Sequence, residues 1–264
     1  MSNLNKDKDD YFEEKSSILN SIGGLITFST IMPLNIYTRI EDMAKLTWFW
    51  PFISFLVGII GAIISYFLVN VLLIPPIICA AIIYGFFLMF NGYHHLDGLL
   101  DFGDALMVHG TPEKKLAVMR DSMVGTGGIA LFFIVGIITI TSFNSILAFG
   151  LFGAIIVSEM AGKIGLISCC ISSKPGQDGT GRFFIEFMTI PKYLLSVLIA
   201  IIISYSLVSY VGIFGVIGGI FGGALISYLG KKHFKIATGD VLGASNEVGR
   251  LFSLLVMVIA FTWI

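Results

Sequence analysis

From Leu46 to Leu96 the chain carries no Asp, Glu, Lys or Arg. No soluble domain exposes a surface built from such a stretch. Further apolar runs near 20 residues follow it, each long enough to cross a bilayer. Within lipid every backbone N–H and C=O must find its partner inside the protein, which leaves helices or a closed barrel. A barrel would show short segments alternating apolar and polar, and none are present. The sequence therefore predicts an all-α, polytopic membrane helical bundle. Charged residues make up 12% of the 264, about half the roughly 25% of a soluble domain. Lys and Arg are confined to a few loops, which excludes a nucleic-acid-binding patch. Cys79, Cys169 and Cys170 sit in apolar segments and have neither zinc nor disulfide spacing, so they read as small buried residues.

Residues 1–17 are rich in charge of both signs and lack the apolar centre of a signal peptide, predicting a solvated arm. Residues 18–264 read as a single membrane-embedded domain. Ile18 to Ile36 is interrupted by Gly23, Gly24 and Pro33, which suits an interfacial or re-entrant helix better than a full span. Trp48 and Trp50 mark a headgroup boundary. About seven spans follow: 52–74, 77–90, 125–143, 146–170, 193–210, 214–229 and 250–264. Pro75-Pro76 separates the first two, and Thr111 is placed to cap a helix that starts at Pro112 and runs to about Met123. Residues 172–191 and 231–247 read as polar loops. The loops near 70–76, 142–146 and 210–214 have no Lys or Arg, whereas those at 91–124, 171–192 and 231–247 hold nearly all of them outside the N-terminal region. The positive-inside rule puts these last three loops, and the N-terminus, on the cytoplasmic side of the cell membrane, with the C-terminus outside.

One of these loops holds the chemistry. Asn91 to Ala105 is sharply polar, with His94, His95, Asp97, Asp101 and Asp104. In a helix, His94, Asp97, Asp101 and Asp104 share one face, and Asp97 and Asp101 lie about 5–6 Å apart at Cβ. Unpaired carboxylates at that spacing repel, and a shared divalent cation relieves them. Oxygen donors without cysteine point to Mg²⁺, whose octahedron phosphate oxygens complete. The alternative is a solvated acidic cap, but Leu96, Leu99, Leu100 and Phe102 make the opposite face apolar and would bury the element. Bound there, Mg²⁺ would neutralise a diphosphate and stabilise a leaving phosphate, one ion or two. An aspartate, His94 or His95 would accept the proton of an attacking hydroxyl. Adjacent histidines on a helix diverge, so one of the two faces the site.

Asp121 adds a further oxygen donor beside Arg120, a candidate phosphate ligand with Lys114 and Lys115. The glycines at 125, 127 and 128 would let backbone amides approach an anion. Glu159 and Lys163, four apart within a span, read equally as a substrate contact or as an ion pair that neutralises itself. Asp240, with Asn246 and Glu247, forms a second polar cluster on the same side. Residues 176–182, rich in glycine, read as a loop over the substrate or a plain linker.

Three motifs resemble the cobalamin-5′-phosphate synthase family, also called adenosylcobinamide-GDP ribazoletransferase. They are His94-His95-Leu96-Asp97-Gly98-Leu99-Leu100-Asp101-Phe102-Gly103-Asp104-Ala105, Met119-Arg120-Asp121-Ser122 with its following glycines, and Thr238-Gly239-Asp240-Val241-Leu242-Gly243-Ala244. Their order agrees with the family, and together they cover most of the chain between 90 and 250. The resemblance implies the last assembly step of the corrinoid coenzyme. α-Ribazole, or its 5′-phosphate, attacks adenosylcobinamide-GDP and displaces GMP with Mg²⁺ present. It also implies that Asp97, Asp101 and Asp104 are metal-binding acids, Asp121 a further ligand or base, and Asp240 part of a second substrate-facing motif. Ala105 departs from the glycine many members carry there.

A CDP-alcohol phosphatidyltransferase is the nearest rival, but its Asp-Gly is followed by Ala-Arg, and Leu99-Leu100 stand here instead. A transporter with a carboxylate cation site is a third reading; the aspartates lie at a membrane boundary rather than at mid-depth, which disfavours it. The sequence leaves self-association open.

Overall fold

The computed structural model describes residues 16–34, 36 and 38–263. The expected N-terminal arm lies almost wholly outside them. Eleven α-helices run in order among the described residues: α1 (Ile18–Ser29), α2 (Ile40–Ala44), α3 (Trp50–Tyr66), α4 (Pro76–Phe90), α5 (His94–Met107), α6 (Pro112–Met119), α7 (Thr126–Ala148), α8 (Phe152–Ser172), α9 (Gly181–Phe187), α10 (Ile190–His233) and α11 (Gly239–Thr262). No strand occurs among them; Pro175 and Ala237 form a single parallel bridge. Five helical stretches among the described residues are long and apolar enough to cross a membrane, and α4 with α5, bent by 94°, pass the same test together, as a broken span or a re-entrant loop. α1, 12 residues long, extends about 18 Å at 1.5 Å per residue, too little for a bilayer core near 30 Å.

α8 is the axis of the bundle, with 89% of its apolar window buried; α3, α10 and α11 pack around it. Outer helices turn large apolar side chains outward, among them Ile63, Phe133, Leu198 and Ile202, as lipid contact requires. Lipid tails are as apolar as these side chains, so helices associate here by close packing and hydrogen bonds. Gly222 shows how close: a Cβ there would stand 2.7 Å from the Val248 carbonyl oxygen of α11.

α10 is a hairpin. Val208 and Ser209 leave helical geometry, with Ser209 at φ 55°. Near its start Tyr193 meets Ser168 through their hydroxyls at 3.0 Å. Near its end Ser227 meets Ser173, also at the C-terminal end of α8, at 2.9 Å. Its middle, Leu207 and Val208, lies against Gly153 at the other end of α8. The two limbs correspond to the expected spans 193–210 and 214–229.

Several boundaries move. The expected break at 142–146 lies inside α7, where the Ser145 hydroxyl bonds back to the Thr141 carbonyl at 3.2 Å and so needs no partner outside the helix. The turn comes at Gly150, with φ 70°. α6 stops at Met119, four residues short of expectation, although the Thr111 cap forms. The 231–247 loop is helical from Gly239 onward. Trp50 is no headgroup anchor: it is 3% exposed and packs on Phe184 at 4.6 Å.

The three basic polar segments meet at one end of the bundle. Lys115 reaches His233 at 3.4 Å, Arg120 reaches Asp178 at 3.6 Å, and the Ala237 N–H donates to the Lys174 carbonyl at 2.8 Å.

Candidate functional site

α5 delivers the acidic residues. Its apolar face, with Leu99, Phe102 and Ala105 buried, seats it on the bundle and leaves Asp97 exposed and Asp101 half-buried. α11 enters beside it with Asp240 in its first turn. Gly98 makes that approach possible: a Cβ there would stand 2.7 Å from the Asp240 carbonyl oxygen. Asp97, Asp240 and Asp104 all act as like charges on Asp101, in that order. No cation of the described residues pairs with Asp97, Asp101 or Asp240.

A cavity of about 490 Å³ opens here, lined on one side by His94, His95, Asp97 and Asp240, and on the other by Trp50 and Phe184. That volume falls within the range of small-molecule sites. Thr180 and Gly181, from the glycine-rich loop, close part of its rim. The Thr238 hydroxyl caps α11 by accepting from the Val241 N–H at 3.4 Å and lies 3.1 Å from Asp240 Oδ2.

The other expected residues are placed less uniformly. Asp104 is committed to α7, its two oxygens accepting the Gly125 and Gly128 N–H groups at 2.6 and 2.8 Å; it anchors that helix start to α5. The glycines at 125 and 128 thus spend their amides on Asp104. Asp121 stands apart on an exposed loop and accepts the Met123 N–H at 3.1 Å. Arg120 is exposed and paired with Asp178. Lys115 is buried against the Leu106 carbonyl and His233, closing the C-terminal end of α5. Among the described residues no three His, Cys, Asp or Glu side chains are gathered as a finished metal cage. The donors beside the cavity are nonetheless all carboxylate oxygens that repel one another, the ligand type of a hard divalent cation.

Glu159, Lys163 and Asn246 are fully buried and sit behind the cavity wall. Glu159 and Lys163 do not pair with each other. Glu159 Oε2 accepts Arg250 Nε at 2.9 Å, and Arg250 Nη1 donates to Glu247 Oε2 at 2.6 Å. Asn246 donates to Glu247 Oε1 at 3.0 Å, and Tyr84 to Glu247 Oε2 at 3.3 Å. Lys163 instead meets His95 Nε2 and lies 5.6 Å from the Trp50 ring. On sequence alone Glu247 ends a polar loop and Arg250 opens a span. Their opposite charges three residues apart in a weakly polar run are the signal that could have joined them.

The family model described as "Cobalamin-5-phosphate synthase" matches residues 21–258. Among curated proteins, the adenosylcobinamide-GDP ribazoletransferase of Methanococcoides burtonii is 29% identical over 84% of this chain and 85% of its own length. The protein of the same name from Methanosarcina mazei is 27% identical over 88% and 89%. That of Picrophilus torridus is 29% identical over 92% and 99%. No solved structure matches the chain.

Proposed function

Because the chain belongs to the cobalamin-5-phosphate synthase family, a family of membrane transferases in cobalamin assembly, we propose that it joins adenosylcobinamide-GDP to α-ribazole or α-ribazole 5′-phosphate and releases GMP. The observation that carries this reading is that Asp97 and Asp240 line one cavity with Asp101 close enough to feel both charges, and none of the three forms an ion pair among the described residues. A nucleotide diphosphate brings phosphate oxygens that cannot approach three bare carboxylates without a metal between them. Asp97, Asp101 and Asp240 would hold Mg²⁺. Bound there, it supplies charge neutralisation to the diphosphate and to the departing phosphate of GMP.

The chain's own residues orient the reactants and take up the proton. The acceptor hydroxyl forms the new P–O bond as the bond to GMP breaks, and its proton passes to Asp97 or to His94, both on the cavity wall. Trp50 and Phe184 keep water from the opposite side. Lys115 and Arg120 lie at the same end of the bundle as this opening, the end the positive-inside rule assigns to the cytoplasm of the cell membrane.

Purified protein in detergent, given adenosylcobinamide-GDP and α-ribazole, is expected to release GMP only when Mg²⁺ is added. Asp97→Asn and Asp101→Asn are expected to abolish that release while still inserting in the membrane. Folded wild-type protein that releases no GMP under these conditions would overturn the reading.

A further inference from the structure

Between α4 and α5 the chain turns by 94° through Gly92 at φ 63° and Tyr93 at φ 60°. Glycine enters the left-handed region freely, while tyrosine does so at an energetic cost. Such backbone persists where its surroundings over-determine it. Here the surroundings are two side chains of α8. On the near side of the turn, Asn91 Nδ2 donates to Glu159 Oε1 at 3.0 Å and to the Phe87 carbonyl at 2.9 Å. On the far side, Lys163 Nζ meets His95 Nε2. Asn91 and His95 are four residues apart, and so are Glu159 and Lys163, which therefore share one helix face. The turn is held at both of its ends by one rigid element.

An ordinary i,i+4 pair would have joined Glu159 to Lys163. Both reach to the elbow instead, and Arg250 meets the charge of Glu159 from behind at 2.9 Å. Arg250 is itself fixed by Glu247 at 2.6 Å, so Glu159 has no freedom to follow a shifting elbow. All four charges are buried, none lines the cavity, and the two positive and two negative groups balance.

We propose that Glu159 and Lys163 are positioning residues: by clamping Asn91 and His95 on either side of the left-handed elbow, they set the angle at which α5 presents Asp97 to the cavity and Asp101 to Asp97 and Asp240. The catalytic part of this inference rests on the proposed transferase reaction; the mechanical part does not. The clamp acts through α5 and touches no reactant. Loosening it displaces the α5 side of the cavity, His94, His95 and Asp97, while leaving Trp50 and Phe184 in place, so turnover falls by more than substrate affinity does.

Spin labels on cysteines introduced at Ile82 and Met107, both exposed, report the elbow by pulsed dipolar spectroscopy, the native cysteines being buried. Asn91→Ala leaves all four buried charges in place and so keeps the fold; Lys163→Met removes the second tether. In both, the distance distribution is expected to broaden or shift against a narrow wild type. kcat is expected to fall by about 10²-fold, with KM changed by a much smaller factor. Wild-type-like distances in folded Asn91→Ala would overturn the clamp, whatever the activity. Altered distances with unchanged kcat would overturn its role in positioning. A wild type that releases no GMP would sink the reaction and leave the distance measurement to decide the clamp.

Discussion

Two groups of charges lie close together in this bundle and obey opposite rules. Behind the cavity, Glu159, Glu247, Lys163 and Arg250 are at most 2% exposed, and their two positive charges equal their two negative ones. At and beside the cavity, Asp97, Asp240 and Asp101 are all carboxylates, exposed or partly so, and form no ion pair among the described residues, Arg120 acting on Asp240 only from a distance. In a dry interior an uncompensated charge is too costly to keep, so that group had to be closed and balanced. At the rim, water tolerates the imbalance, and the excess charge is what a metal-bound diphosphate needs. Residues of one chemical type thus serve as framework in one place and as reagent in the other. The difference lies in whether the partner is supplied by the fold.

Removing a member of the balanced group should cost most. Arg250→Met removes the ion-pair partner of both Glu159 and Glu247 and leaves two buried carboxylates to the single Lys163, a loss of about 3–5 kcal/mol for a broken buried pair. Thermal unfolding in detergent should show a large drop in stability, with poor yield. Neutralising the open group should do the reverse: Asp101→Asn relieves repulsion from Asp97, Asp240 and Asp104. Stability without Mg²⁺ is expected to hold or rise, by up to about 1 kcal/mol, while GMP release disappears. An Asp101→Asn protein that unfolds as readily as Arg250→Met would erase the distinction between the two regions.

The open group was legible in the sequence and the closed group was not. Asp97 and Asp101 stand out because they lie three and seven positions after His94, and seven and three before Asp104, on one helix face, a local property. The all-α membrane class, the Pro75-Pro76 break and the Thr111 cap are local in the same way. Glu159 and Lys163 are also visible as charges in a span, but their natural local pairing is with each other. What separates them is a tyrosine-containing left-handed elbow and an arginine 91 positions from Glu159, neither of which has a local signature. The polar run 231–247 reads as a loop for the same reason: its Asn246 and Glu247 look solvated until their buried partners, Arg250 among them, are known. Asp104 has the spacing of a metal ligand, and only the tertiary structure commits both its oxygens to the start of α7.

An intermediate effect is expected where the two regions are joined by packing. Gly98→Ala would put a Cβ 2.7 Å from the Asp240 carbonyl oxygen and 2.9 Å from its Cα. These are backbone atoms, so α5 and α11 must separate by a few tenths of an ångström. Overpacking of this kind costs about 1–3 kcal/mol. It also pulls Asp240 from Asp97, so the concentration of Mg²⁺ needed for half-maximal GMP release should rise more than the melting temperature falls. Equal activity at all Mg²⁺ concentrations would mean that Asp240 does not belong with the α5 carboxylates.

The smallest effect should come from Thr238, which touches both tasks at once. Its hydroxyl accepts the Val241 N–H at 3.4 Å and lies 3.1 Å from Asp240 Oδ2, so it caps α11 and fixes the carboxylate's rotamer. Losing an N-cap costs about 1 kcal/mol, a modest shift for a bundle this size. Thr238→Ser keeps both bonds and should behave as wild type. Thr238→Ala should lose the cap and free Asp240 to rotate. If Asp240 serves only the helix start, melting temperature and Mg²⁺ requirement will fall back together to wild type in Thr238→Ser, and only stability will change in Thr238→Ala. If it belongs to the open group, Thr238→Ala will also need more Mg²⁺, because a wandering carboxylate must be ordered each time the ion binds.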